Sequence, residues 1–210
     1  MPGLPHHVTQ RGNRRLQTFF NDDDYHFYKR LLSTFSKRTE TSIIAWCLMP
    51  NHVHVIAVPK TEEGLRATFA PLHRTYSQEI NQRQGWTGHL WQQRFSSVPL
   101  DEPHTIAAVR YVELNPVRAG LVSHPADYKW SSVRAHLNRW EDGLTDLAQM
   151  GQITDDWAGL LASGLNEELL KIFRVHETNG MPIGSESFLN RIGSLTGRRV
   201  TSLPRGGARR

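Results

Sequence analysis

The sequence predicts an α+β fold, namely a ferredoxin-like sandwich with a central antiparallel sheet, followed by a C-terminal helical extension. Two observations predict it. Short runs rich in β-branched residues alternate with longer segments whose apolar residues recur at helical spacing, in the order strand-helix-strand-strand-helix-strand-helix. Beyond about residue 136 the alternation stops, and a polar stretch leads into segments that are helical only.

The first part of the chain predicts a strand, a helix and a hairpin. Residues 6–10 form the strand, and a helix over 22–37 follows, with three aspartates at its start to cap it and to complement its positive end. The runs at 42–48 and 52–58 are rich in Val and Ile, and Pro50-Asn51 between them is a turn signal. These two runs therefore predict a hairpin at the centre of the sheet.

The second part completes the sandwich and adds the extension. Pro116 ends the helix that follows the last strand, because proline has no backbone N–H and clashes with the preceding turn. The division that we predict is an α+β domain over 1–137, a helical extension over 138–197 and a basic, flexible tail over 198–210. The elements predicted in this part are a helix over 65–82, a strand over 95–100, helices over 104–114, 160–175 and 187–195, and a further turn of helix over 117–122.

Composition restricts the class of protein. The chain has 210 residues, an apolar fraction of 38% and one cysteine, so it is long enough for one core and has no internal disulfide framework. It has no apolar run of about 18 residues, and its N-terminus lacks the apolar stretch of a signal peptide. We therefore expect a cytoplasmic protein without a membrane partner. The net charge of +5 favours a polyanionic partner.

Two histidines, His52 and His54, stand in the third predicted strand. Positions i and i+2 of a strand point to the same face, so both imidazoles project side by side, as two ligands of one metal do. The spacing alone also suits two hydrogen-bonded core histidines, and that alternative stays open at this point. We interpret His6 and His7 as strand-surface residues.

Tyr111 and Asn115 stand four residues apart at the end of the helix after the fourth strand, which in one helix is the same face. In a ferredoxin-like sheet this helix lies beside the central strands. A metal held by two imidazoles and an amide oxygen could then polarise a phosphodiester while the tyrosine hydroxyl attacks phosphorus. Tyr111 also suits a core aromatic, and Asn115 before Pro116 also suits a helix N-cap.

Several ordered stretches resemble one known family. The run WCLMPNHVH at 46–54 resembles the histidine–hydrophobic–histidine (HUH) motif of single-tyrosine transposases. The run YVELNPVRAGLV at 111–122 resembles their nucleophile helix in the version of the REP-associated tyrosine transposases. Further stretches that resemble this family lie at 8–15, 90–95, 128–132 and 182–188.

The resemblance implies a single-stranded DNA endonuclease and strand transferase that uses Mg²⁺ or Mn²⁺. It implies that His52 and His54 bind the metal, that Asn115 occupies the place of a third ligand, and that Tyr111 becomes a covalent 5′-phosphotyrosine. The implied substrate is single-stranded or hairpin DNA of the REP type, and the implied state is a monomer or weak dimer. The residues that we predict to contact the DNA are Arg11, Asn13, Arg14, Arg15 and Arg94.

Two alternatives stand beside this interpretation. One is a domesticated module that binds DNA hairpins and has weak or regulatory cleavage activity. The other is an ordinary metallohydrolase, which would need further acidic or histidine ligands near the pair. The sequence after His54 is Val55-Ile56-Ala57-Val58, so it offers none there.

Overall fold

A four-stranded antiparallel sheet forms the centre of the protein in a computed structural model that describes residues 1–150, 154–197 and 200. The strand order is β2-β3-β1-β4, so β3 and β1 are central. This is the order of a split βαβ pair, and the predicted fold class is confirmed. The strands are β1 (His6–Arg11), β2 (Thr41–Met49), β3 (His52–Pro59) and β4 (Ser96–Pro99).

Two long helices, α1 (Asp22–Arg38) and α2 (Gly64–Gln84), pack on each other and on one face of the sheet. Their buried contact includes the Tyr28 hydroxyl and Nε2 of His73, which lie 2.9 Å apart. The cap of α1 is Asn21 rather than the aspartates that follow it. Its side chain accepts from the backbone N–H of Asp24, whose carboxylate accepts from Asn21 in return.

The opposite face of the sheet packs against α3 (Glu102–Glu113), which contacts β2 and β3. We predicted that Tyr111 and Asn115 lie on one face of a single helix, and this is wrong because the two residues belong to different helices. The helix ends at Glu113, and Asn115 begins a separate turn, α4 (Asn115–Arg118), whose second residue is proline. Because proline cannot donate a helical hydrogen bond, the two turns do not continue as one ladder.

The C-terminal part consists of short helices, as the sequence predicts, but their boundaries differ. The single helix expected over 160–175 is wrong. It is two helices, since Gly164 adopts a left-handed φ of 61° and the Asn166 side chain caps a new start by accepting from Leu169 N–H. The helices of this part are α5 (Val133–Asn138), α6 (Leu147–Met150), α7 (Trp157–Ala162), α8 (Glu167–Asn179) and α9 (Glu186–Thr196).

Residues of the predicted extension belong to the same hydrophobic core as the sheet. Trp157, Leu161, Phe173 and Ile183 are buried in the cluster that contains the strand residues. The division at 137 and 138 stays a prediction, and the predicted basic tail lies outside the described residues except for Val200. Within the described part of the chain, no helix is both long and apolar enough to cross a membrane.

Candidate active site

Three histidine rings form a row on the sheet face that α3 covers. In the register of β1 and β3, Arg11 lies opposite His52 and Thr9 lies opposite His54, so these side chains share one face. The ring centroids of His52 and His54 are 4.9 Å apart, and those of His54 and His7 are 5.1 Å apart. The structure thus brings the predicted pair together and adds a third imidazole from the neighbouring strand.

The interpretation of His6 and His7 as surface residues is wrong. His6 is 4% exposed and His7 is 1% exposed, because β1 lies between β3 and β4 and both of its faces are covered. Nδ1 of His6 lies 2.8 Å from the Ser97 hydroxyl, and Nε2 of His7 lies 2.9 Å from Nδ1 of His54. Each ring therefore has the polar partner that burial requires.

The ring nitrogens of the two predicted metal ligands, His52 and His54, have different environments. Nδ1 of His52 lies 2.6 Å from Oδ1 of Asn51, whereas Nε2 of His54 is buried and has no hydrogen-bond partner in the described part of the protein. Burial, together with the positive charges of Arg11 and Arg118, lowers the pKa of His52 to about 3. Burial also lowers the pKa of His54, so both imidazoles are neutral, which is the form that binds a metal.

Tyr111 lies over this row. Its ring centroid is 5.8 Å from those of both His54 and His7, and 4.9 Å from the Phe173 ring on α8. The residue is only 3% exposed. Burial and the nearby Glu177 carboxylate raise its pKa to about 12, and the charge of Arg118 acts in the opposite direction. The predicted nucleophile is thus beside the histidines but beneath α8.

Glu177 is the residue of this site that the sequence did not reveal. It lies one turn after Phe173 on α8, so both side chains face Tyr111 and the histidines. Oε1 of Glu177 is 3.6 Å from Nδ1 of His54, is buried, and has no hydrogen-bond partner in the described part of the chain. Ligand atoms of His7, His54 and Glu177 all lie within 4.8 Å of one another, which suits a metal. Burial raises the pKa of Glu177.

Asn115, the predicted third ligand, is buried with 6% exposure. Over the described residues, no hydrogen bond joins its side chain to His52 or His54. Its backbone carbonyl accepts from Ala119 N–H and so belongs to α4. Among the described residues, the donor atoms that lie within 4.8 Å of one another belong to His7, His54 and Glu177, so the predicted ligand His52 is not part of this cluster. Such a set fits a divalent ion with open positions for phosphate oxygens.

A basic cavity of about 390 Å³ opens next to the histidines. Three of the five predicted DNA-contacting residues, Arg11, Arg15 and Arg94, line it, and Arg174 of α8 adds a fourth guanidinium. His52 and Glu177 line the same cavity. Asn13 and Arg14 are not among its lining residues. They lie in the adjoining 3₁₀ turn (Asn13–Arg15), where Arg14 is exposed.

Comparison with known proteins identifies the family of this chain. A family model described as IS200-like transposase matches residues 2–115, the range that contains the histidine row, Tyr111 and Asn115. The chain is similar to the REP-associated tyrosine transposase of Escherichia coli K12, with 22% identity over 148 residues, which are 70% of this chain and 84% of that protein. The resemblance predicted from the sequence is confirmed.

Two solved structures are similar to this chain to different degrees. One is a REP-associated tyrosine transposase bound to a REP hairpin, with 23% identity, a TM-score of 0.53, and coverage of 74% of this chain and 90% of that one. The other is a putative transposase from Deinococcus radiodurans R1, with 18% identity, a TM-score of 0.39, and coverage of 52% and 88%. On the family match over more than half of its length, this chain belongs to the IS200-like transposase family.

Proposed function

We propose that the protein is a single-stranded DNA endonuclease and strand transferase that acts on REP-type hairpin DNA through a covalent 5′-phosphotyrosine. The observation that carries this proposal is the contact between the Tyr111 ring and His54, beside a cavity lined by arginines. A tyrosine packed on neutral histidines has an ordinary structural use. A basic cavity beside Tyr111 and His54 favours instead a ligand that carries phosphate groups.

His52 and His54 would hold Mg²⁺ or Mn²⁺, and the free Nε2 of His54 fits this role. Asn115 was predicted to supply the third ligand. Glu177 offers a carboxylate oxygen, the ligand type that both ions prefer, but this oxygen faces Nδ1 of His54 and its side chain would have to turn to reach an ion on Nε2. When bound, the ion polarises the scissile phosphate and offsets the negative charge that develops on it. Arg11, which lies opposite His52, adds a fixed positive charge on the same side.

Cleavage would proceed by attack of the Tyr111 hydroxyl oxygen on phosphorus. The bond from phosphorus to this oxygen forms while the bond to the 3′ oxygen breaks. The Tyr111 hydroxyl gives up its proton and the departing oxygen takes one up, so that a free 3′ hydroxyl results and the protons balance. Because Tyr111 is 3% exposed, its side chain or α8 must shift before the oxygen reaches a phosphate. The Arg118 charge supports loss of the tyrosine proton because it opposes the rise that burial causes in the pKa of Tyr111.

Strand transfer would reverse the same step with a different end. A 3′ hydroxyl attacks the phosphotyrosine, the DNA phosphodiester forms again, and the tyrosine oxygen leaves and regains its proton. The number of phosphoester bonds is conserved, so the exchange needs no nucleotide cofactor.

Two observations support hairpin DNA as the partner: the positive charge of the cavity and one solved relative. Arg11, Arg15 and Arg94 converge on the cavity, and the solved relative is described as bound to a REP hairpin. Single strands bind in a positive groove, with sequence-tolerant contacts to the backbone. We propose that the protein acts as a monomer or weak dimer in the cytoplasm, where its buried thiol Cys47 stays reduced.

A second candidate is a hairpin-binding module with weak or regulatory cleavage. The burial of Tyr111 beneath Phe173 favours it, because binding in the basic cavity does not require the tyrosine to be accessible. This candidate uses the same DNA surface and differs only in the absence of a covalent step.

One experiment separates the two candidates. Labelled single-stranded hairpin oligonucleotides are incubated with the protein and Mn²⁺, and the products are resolved on a denaturing gel. The nuclease predicts a protein–DNA adduct in the wild type, none in Tyr111→Phe, and equal hairpin binding by both. Tyr25→Phe, a buried tyrosine on the other face of the sheet, is the matched control and keeps the adduct. An adduct formed by Tyr111→Phe would reject the assigned nucleophile, and binding without any adduct would favour the module.

A further inference from the structure

The side chain of Asn51 joins two parts of the protein that the proposed function uses separately. Asn51 stands in the turn between β2 and β3. Its Nδ2 donates to the backbone carbonyl of Arg15 at 2.9 Å, and its Oδ1 lies 2.6 Å from Nδ1 of His52. One amide therefore contacts both the 3₁₀ turn beside the basic cavity and a candidate metal ligand.

The first of these bonds fixes the orientation of the amide. A backbone carbonyl only accepts hydrogen bonds, so the atom of Asn51 that faces Arg15 must be the nitrogen. The atom that faces His52 is then the carbonyl oxygen, which has no proton to donate. The 2.6 Å contact is a hydrogen bond only if Nδ1 of His52 carries the proton.

A neutral imidazole carries a single proton, so a proton on Nδ1 leaves the lone pair on Nε2. We infer that Asn51 is a positioning residue that holds His52 in the Nδ1–H tautomer and fixes its ring relative to the backbone of Arg15. Metal-binding histidines characteristically donate their other ring N–H to such an acceptor. The consequence for metal binding rests on the proposed function, whereas the tautomer itself does not.

The turn that Asn51 contacts has an unusual backbone. Arg14 and Arg15 both adopt left-handed conformations, with φ of 54° and 62°, which side chains other than glycine rarely tolerate. Such a conformation persists only where its surroundings impose it. Asn51 supplies two of these restraints, because its own carbonyl accepts from Gly12 N–H at 2.8 Å and its side chain bonds Arg15.

Close approach of neighbouring atoms explains why Gly12 precedes this turn. A Cβ atom at that position would collide with the carbonyl oxygen of Leu16 and would lie 3.3 Å from the carbonyl oxygen of Asn51. The chain passes closely over the β2–β3 turn here, and this brings the Arg15 carbonyl within reach of the Asn51 amide. The position of the cavity arginine and the state of the histidine therefore depend on one side chain.

The direct test is the tautomer of His52 by long-range ¹H–¹⁵N NMR at neutral pH, with the resonance assigned by its loss in His52→Gln. We expect the Nδ1–H form in the wild type and a shift towards the Nε2–H form, which histidine favours in water, in Asn51→Ala. Asn51→Asp keeps an acceptor for Nδ1–H and should retain the wild-type form. Asn81→Ala, which removes a comparable amide bond to the Gly88 carbonyl but none to His52, should leave the His52 signals unchanged.

A second measurement addresses the metal. Binding of Mn²⁺ alone, followed by electron paramagnetic resonance, should weaken about 10–100-fold in Asn51→Ala and be restored to within a few-fold in Asn51→Asp. If His52→Ala binds Mn²⁺ as the wild type does, the proposed metal site fails, but the tautomer result still decides the inference. A wild-type protein with the Nε2–H form would overturn the inference without any variant. An Asn51→Ala protein that folds and keeps the Nδ1–H form would overturn it as well.

Discussion

The guanidinium carbon of Arg118 lies 4.2 Å from the centroid of the Tyr111 ring, and Nη1 of the same side chain donates to the Tyr111 carbonyl at 3.2 Å. Arg118 ends the short α4 turn that Pro116 separates from α3. The break between the helices thus places a cation both on the ring of the proposed nucleophile and on its backbone. This contact opposes the effect of burial on the pKa of Tyr111.

Replacing Arg118 should slow formation of the covalent adduct. We expect Arg118→Ala to reduce its rate constant about tenfold, which is ~1.4 kcal/mol, because the tyrosine loses a positive charge that supports its ionised form. Arg118→Lys keeps the charge but not the planar stacking, so its rate constant should lie between those of the wild type and Arg118→Ala. Single-turnover kinetics with saturating hairpin measure this. An unchanged rate in Arg118→Ala would leave Arg118 with a purely structural role.

The third metal ligand can be identified by comparing two variants. The resemblance implies Asn115, whereas the contacts of the described residues bring Glu177 to the histidines. We expect Glu177→Gln to weaken Mn²⁺ binding about tenfold or more, and Asn115→Ala to weaken it less, because a carboxylate oxygen is charged and an amide oxygen is not. Titration calorimetry measures both affinities, with Glu168→Gln, an exposed acid on the same helix, as control. A larger effect of Asn115→Ala would instead support the ligand implied by the resemblance.

The arginines of the cavity should determine the salt dependence of DNA binding. Each arginine that neutralises one phosphate of a single strand contributes about 0.7 to the slope of log K against log salt. We expect the slope to become shallower by this amount in both Arg15→Ala and Arg94→Ala, which line the cavity. Arg30→Ala removes an exposed arginine from α1 on the other face and should leave the slope unchanged. Fluorescence anisotropy at several salt concentrations gives the slopes. Equal slopes in all four proteins would place the DNA elsewhere.

Stability should decrease as the pH falls below neutrality. Burial lowers the pKa of His73, which contacts the Tyr28 hydroxyl, from 6.5 to about 3. The unfolded chain takes up this proton first, so the stabilisation is complete above pH 6.5 and is lost progressively as the pH falls towards 3. One histidine changes the free energy of unfolding by at most about 1.4 kcal/mol per pH unit. Urea denaturation of His73→Gln between pH 7 and 5 should show a smaller pH dependence than the wild type, and exposed His124→Gln should show none of this reduction.

A buried polar cluster joins the end of α3 to the C-terminal part. Oε1 of Glu113 lies 2.5 Å from Nδ1 of His136 and accepts from the Ser132 hydroxyl, and Oε2 accepts from the Trp157 indole at 2.9 Å. Both side chains of the Glu113–His136 pair have no exposed surface. Glu113→Ala leaves the Trp157 indole N–H and Nδ1 of His136 buried without this acceptor, whereas Ser132 keeps its bonds to the Trp46 backbone, and we expect a loss of about 3–5 kcal/mol in the free energy of unfolding. Urea titration measures this loss. The control is Glu62→Ala, which replaces an exposed acidic residue and should change the free energy of unfolding little.

Local patterns were sufficient for much of the fold. The Val- and Ile-rich run after Pro50-Asn51 predicted β3, and the two-residue period of a strand placed His52 and His54 on one face. The helix after β4 placed Tyr111 near that face, and the structure puts its ring 5.8 Å from His54. Local patterns failed where a boundary depended on a few residues. Gly164 and Asn166 divide the helix expected over 160–175, and Leu114 and Pro116 separate Asn115 from α3.

The sequence by itself determined the strand and helix order, the paired histidines, the tyrosine and the basic stretch after β1, because each follows from residues that are neighbours in the chain. Only the tertiary structure decided that His7 and Glu177 join the site. His7 is 47 positions from His54, its bonding partner, and its burial results from the central place of β1 in the sheet. Glu177 reaches His54 only because α8 packs Phe173 into the core beside Tyr111, a contact between distant segments that no local period encodes.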